Sequence, residues 1–331
     1  MDKSQKSNRA KRAKIDEIMK HLFSVSKPTL VKMMNSLFKE NFDPETVEII
    51  QTNPEFGGFE LEIIRGDMFL RFQDIAEEAE EKPNHFHIEF QTRRDRLIGI
   101  RVFGYAFNKA KENERLENKN DDGEVVLYMP KSLVIHVEKH EKIPKDRYRI
   151  KIIFTDENNQ DTVINYTVPV LRYWEYDEKR LIDEKLYPLL PLQLFMLRSE
   201  LEKMSRRKNP QGKRETIAKI RIITEKIVRE AHELGDVGEI NDEDIEKITM
   251  AIGELFKHLN DKYRADAKLN EEVSDMIKTL YDERVFIKGK KERDIQLIEK
   301  MLRRGDTISE IADFLEITIE EVEKVKKKLK L

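Results

Sequence analysis

Between residues 85 and 91, apolar and polar side chains alternate without a break. Phe86, Ile88 and Phe90 fall on one face of a strand, and His85, His87, Glu89 and Gln91 on the other. The apolar face is expected to be buried and the polar face wet. Upstream, Gly57-Gly58 opens a strongly β-forming stretch over 59–72 that carries Asp67 within it, and 47–50 is a shorter strand. Downstream, 133–137 reads as a short buried strand. The runs 148–154 and 163–168 flank Asn158-Asn159 as a hairpin. The segments 74–82 and 118–123 read as a loop and a turn.

Helical spacing appears first over 28–39, where Pro28 suits a first turn and Leu30, Val31, Met34, Leu37 and Phe38 form a stripe. A second helix is expected over 94–116, buried through Leu97, Ile98, Val102 and Phe103. A third is expected over 187–204, behind Pro188 and Pro191. A basic connector with Pro210 and Gly212 spans 205–214, and the pattern beyond it is helical throughout: 214–234, 242–260 and 269–290, with many i,i+4 charge pairs. A helix over 295–303 stops at Gly305. Thr307 with Glu310, and Thr318 with Glu321, are capping-box pairs that start helices at 309–315 and 319–329, a helix-turn-helix outline.

The fold expected from these signals is α/β, followed by an all-α region. Residues 1–24 form a basic arm, with Lys3, Lys6, Arg9, Lys11, Arg12 and Lys14 against Asp2. Residues 25–205 form the α/β domain, 206–292 a helical region, and 293–331 a helix-turn-helix-like tail.

Composition narrows the function classes. With 62 basic and 65 acidic residues the net charge is −3, so any nucleic-acid contact comes from local patches and not from bulk charge. The absence of cysteine excludes disulfides, thiolate zinc sites and a cysteine nucleophile, and fits a reducing compartment. The polar start and the lack of a membrane-length apolar run give a cytoplasmic expectation.

The chemistry centres on the 85–91 strand. Asp67 and Glu89 each lie within a strand, and adjacent strands run about 4.8 Å apart. Two carboxylates at that separation repel unless a cation lies between them. Asp67, Glu89 and the main-chain carbonyl of Phe90 together offer three hard oxygens, a set suited to Mg2+ or Mn2+. Such an ion lowers the pKa of water and offsets charge on a phosphate. Gln91 shares the face of Glu89 and is placed to orient water or a phosphate oxygen; His87 is a supporting or phosphate-contacting group. On the next helix Arg94, Ile98, Arg101, Tyr105 and Asn108 recur at three-and-four spacing, which puts Arg101 and Tyr105 one turn apart on the phosphate side. The plainer alternatives are solvated strand acids, a histidine pair at 85 and 87 with no third zinc ligand, and an ordinary Arg–Tyr pair on a half-buried helix.

The runs Arg65-Gly66-Asp67-Met68-Phe69, His87-Ile88-Glu89-Phe90-Gln91-Thr92 and Arg101-Val102-Phe103-Gly104-Tyr105, followed by Leu189-Leu190-Pro191-Leu192-Gln193-Leu194-Phe195, resemble one known family. This is the recombination-promoting, transposase-associated branch of the PD-(D/E)XK nucleases, and the likeness covers roughly residues 25–205. The resemblance implies a restriction-endonuclease-like core, a mixed central sheet flanked by helices, and Mg2+-assisted cleavage of DNA phosphodiesters in recombination or mobile-element movement. It implies that Asp67 and Glu89 are the two metal-binding acids, with Glu55 the candidate for a further one. Gln91 stands where the wider superfamily has lysine. A homodimer is the expected assembly for cutting both strands. The competing expectations are a catalytically weak DNA-binding or regulatory protein that keeps the fold, and a helical interaction protein working through 214–290.

Overall fold

The computed structural model describes residues 17–52, 55–57, 63–65, 68–74, 84–117, 126–206, 210–263 and 267–329. Its contacts divide the chain into two compact units, 1–271 and 272–331. No helix among the described residues is long and apolar enough to cross a membrane.

The first unit begins with a short helical turn at 17–21 and helix α1 (Lys27–Phe38), which has Pro28 in its first turn. Lys39 closes α1 in the left-handed region at φ 60°, with its N–H donated to the Asn35 carbonyl. Strands β1 (Val47–Thr52), β4 (Met68–Asp74), β5 (Asn84–Gln91), β6 (Lys131–His136), β7 (Arg147–Thr155) and β8 (Asp161–Arg172) build one six-stranded sheet in the order β1-β4-β5-β6-β8-β7. The short strands β2 (Glu55–Gly57) and β3 (Ile63–Arg65) pair with each other separately. β5 is antiparallel to β4 and parallel to β6, and β6 is parallel to β8, so the sheet is mixed. The parallel β5–β6 pair needs a crossover, which helix α2 (Ile98–Glu117) supplies. The hairpin expected around Asn158-Asn159 is β7–β8, and Asn159 takes the positive φ of 57° that the turn requires.

Helices cover both sheet faces. Phe86, Phe72 and Phe90 meet Phe38, Phe42 and Phe23 at ring-centroid distances of 4.8, 5.1 and 5.7 Å, so α1 and its flanking segments bury the apolar face. On the opposite face Ile98 and Val102 of α2 pack with Val134 and Val168. Gly99 lets α2 approach β7 closely: a Cβ there lies 3.3 Å from that of Tyr148.

Four expectations change. The polar face of β5 is not wet, because α2 lies over it: His85, His87, Glu89 and Gln91 are 4%, 0%, 1% and 6% exposed. Helix α2 starts at Ile98 and not at 94, so Arg94 lies ahead of it, and Leu97 points to solvent. Asp95 sets this start by accepting the Leu97 N–H at 2.8 Å. The segment 187–204 is not one α-helix. Tyr187–Leu197 is a 3-10 run and a separate α-helix begins at Arg198, because Pro191 has no N–H for an i−4 bond and nearly every side chain of the run is buried. Finally, 269–290 and 295–303 belong to one continuous helix.

After the 3-10 turn Tyr173–Glu175 and helix α3 (Glu178–Asp183), the 187–197 run packs against α1, α3, α5 (Pro210–Asp236) and α6 (Asp242–Tyr263). The basic connector joins α4 (Arg198–Arg206) to α5, and both helices lie in the first unit. Helix α7 (Ala267–Arg304) starts in that unit and continues into the second, followed by α8 (Ile308–Leu315) and α9 (Ile319–Leu329). Both capping boxes form. Thr307 accepts from the Glu310 N–H while Glu310 accepts from the Thr307 N–H, and Thr318 and Glu321 repeat the exchange. Ile298, Met301, Ile311, Ala312 and Val322 form the core of this second unit.

Candidate functional site

Glu89 lies near the C-terminal end of β5, at the middle of the sheet. Burying a carboxylate is costly unless partners replace its hydration. Three partners converge on it. The guanidinium of Arg101, from the first turn of α2, donates to Oε1. The Gln91 amide donates to the same oxygen at 3.0 Å. His87 brings Nε2 to 3.8 Å from Oε2. Burial by itself pushes the Glu89 carboxyl up, but His87 and Arg101 together outweigh it and hold the group below the usual carboxylate range. Glu89 therefore stays ionised in a nearly dry setting.

Arg101 bridges two acids, with its second terminal nitrogen 2.8 Å from Asp95 Oδ2. Burial disfavours the guanidinium charge, and Glu89 foremost among its neighbours restores it. A quarter of the Arg101 side chain reaches solvent, against 2% for Glu89, so the arginine is the outer member of the pair.

His87 is held rigidly. Phe69 stacks on its ring at 4.3 Å and 3°, and Tyr105 meets it edge-on at 5.7 Å. Ser132 Oγ lies 3.5 Å from His87 Nδ1, and the Tyr166 hydroxyl lies 3.4 Å from Ser132. Tyr105, expected on the phosphate side, is thus placed to fix His87. His85 lies two positions along the same face, where burial and then Arg71 and Lys109 lower its pKa to about 4.

Asp67, the expected partner of Glu89, lies outside the described residues. Glu55 begins β2, outside the six-stranded sheet. Successive carbonyls of a strand point to opposite neighbours. Gln91 O accepts from Val137 N–H on the β6 side, so the Phe90 carbonyl points to the β4 side. Among the described residues no group of three or more His, Asp or Glu side chains forms a metal cage. The donors that are present, the Glu89 carboxylate and the Phe90 carbonyl, are hard oxygens; they fit part of a Mg2+ or Mn2+ ligand set better than a zinc site.

The sequence pattern missed two parts of this arrangement. Asp95 precedes α2 and grips Arg101, a role signalled only by an acid just ahead of a helix start. His136 on β6 is the register partner of Gln91, fully buried, with Nε2 2.8 Å from the Tyr148 hydroxyl. Burial, then Arg172 and His140, lower its pKa to about 4. A lone polar residue within Leu133-Val134-Ile135-His136-Val137 was its only sign. Comparison with known proteins found no matching family model, no matching curated protein and no matching solved structure.

Proposed function

We propose that this chain is a metal-dependent DNA endonuclease of the PD-(D/E)XK kind, hydrolysing phosphodiester bonds at the C-terminal end of β5. The observation that supports this reading is an ionised glutamate, 1% exposed, held by Arg101, Gln91 and His87 on a central strand. By the sequence assignment Asp67 joins Glu89 and the Phe90 carbonyl in holding Mg2+ or Mn2+. When bound, that ion supplies Lewis-acid activation of water and offsets phosphate charge. Gln91 fixes the rotamer of Glu89 through Oε1, and Phe69 and Tyr105 fix His87 against the other oxygen. Arg101, a quarter exposed, is the outer cation of the pair, and its planar guanidinium suits a phosphate oxygen. Glu320 and Glu321 occupy the first turn of α9, so the reading does not depend on that helix entering a groove.

The test is conversion of supercoiled plasmid to nicked or linear DNA in Mg2+. The parent cuts, Glu89→Ala and Asp67→Ala do not, and Arg101→Lys cuts roughly 10²-fold more slowly. A folded parent that binds DNA and cuts nothing in Mg2+ or Mn2+ overturns the proposal.

One observation favours a second reading, a DNA-binding protein that keeps the fold without catalysis. Arg101 already neutralises Glu89, and the Gln91 amide is spent on the same carboxylate. That reading expects salt-dependent DNA binding with no dependence on divalent metal.

A further inference from the structure

Two loops leave the same edge of the six-stranded sheet. β5 and β6 are parallel neighbours, and the Val137 N–H donates to Gln91 O at 2.9 Å where they end. The chain runs on as 92–97 and 137–146, beside the Glu89 site. Arg93, Arg94 and Arg96 of the first loop and Lys139, Lys142 and Lys145 of the second are all exposed. None of them has an ion-pair partner among the described residues. The acids nearby are spent on other cations: Asp95 holds Arg101, Glu138 holds Arg198, and Asp146 holds Arg147 and Arg149, which leaves Glu141. The opposite edge of the sheet reverses the sign. Asp43 and Glu45 precede β1, and Asp156, Glu157 and Asp161 surround the β7–β8 turn, all exposed. On a chain of net charge −3, this segregation directs a polyanion to one edge.

We propose that this edge is a phosphate track: a DNA backbone lies across the 93–96 and 139–145 loops, which hold it over the Glu89–Arg101 site. The assignment rests on the nuclease reading of that site and adds the surface that positions its substrate. Guanidinium groups suit phosphate oxygens because they donate two parallel hydrogen bonds, and the lysines extend the positive field as point charges. Leu97 and Ile100, 63% and 58% exposed, stand beside the arginines, a mixture that also suits an anionic lipid surface. The lysine loop argues against lipid. Its one large aliphatic side chain past the strand end, Ile143, is 2% exposed, so that half of the track has nothing to bury in a bilayer. Charge alone on both loops matches a nucleic-acid backbone.

Fluorescence anisotropy of a labelled DNA duplex with the full chain, in EDTA from about 50 to 200 mM salt, reads the track without cleavage. The parent is expected to bind with affinity that falls steeply as salt rises. Arg93→Gln, Arg94→Gln and Arg96→Gln combined should lower the slope of log affinity against log salt by roughly 2–3 and weaken binding at least about tenfold. Lys139→Gln, Lys142→Gln and Lys145→Gln combined should do the same. Lys324→Gln, Lys326→Gln and Lys327→Gln combined, in α9, should change neither. All these side chains are exposed, and circular dichroism checks that each variant is folded. A parent that binds no DNA overturns the proposal, as does a slope unchanged in either loop variant or a loss confined to the α9 variant. Binding to phosphatidylserine vesicles in place of DNA, lost in the loop variants, overturns it in favour of a membrane surface. Loop variants that lose DNA while the parent nicks nothing in Mg2+ leave the track standing and remove the nuclease reading.

Discussion

Glu89 keeps its charge under α2 only because Arg101 and His87 offset what burial costs it. Removing one partner of such a pair is worse than removing both, since a lone buried ion has nothing to replace water. Arg101→Met is expected to destabilise the chain by about 3–5 kcal/mol in urea unfolding. Adding Glu89→Gln to it should recover part of that loss, giving a non-additive cycle. His136 bears on pH dependence. Its pKa is lowered to about 4 in the folded chain against 6.5 in the unfolded one, so the unfolded chain takes up the proton first as pH falls. Its contribution is intact above pH 6.5 and is lost as pH drops from there to about 4. Urea midpoints at pH 7 and pH 5 should differ less for His136→Asn than for the parent.

Among the elements, a fully buried carboxylate ties two helices together. Asp244, in the first turn of α6, accepts from the Ser26 N–H at 2.5 Å, the Ser26 hydroxyl at 2.7 Å and the Thr29 hydroxyl at 2.7 Å, all at the start of α1. Both helix N-termini favour that negative charge. Asp244→Ala leaves these three donors and the Asn241 N–H without their acceptor and is expected to cost about 2–3 kcal/mol, read as a lower thermal midpoint. Nothing in the sequence pattern announces this contact, because its partners are 215 and 218 positions apart. What the sequence did announce was local. Alternation located β5, the Asn-Asn turn located the β7–β8 hairpin, and the capping boxes located α8 and α9. The expected wet face of β5 was wrong because alternation reports which residues share a face, not what lies over it. The helix expected over 187–204 failed for a related reason: an apolar run with two prolines has no period to read, and packing against four helices decides its shape.

On the scale of the whole molecule, the expected mixed sheet flanked by helices and the helical C-terminal region are present. One face of β5 and the first turn of α2 bring Glu89, Gln91, His87 and Arg101 together. The supporting pair Ser132 and Tyr166 needed the parallel β5–β6–β8 pairing to come near His87, which local sequence does not encode. Glu89 and Asp67 are proposed to hold one divalent cation between them. Calorimetric titration of Mn2+ into the purified chain tests it most directly, alongside Asp67→Asn and Glu89→Gln variants shown by circular dichroism to be folded. One site is expected in the parent and none in either variant. Mn2+ binding that survives unchanged in both variants, or a folded parent that binds no Mn2+, would contradict it.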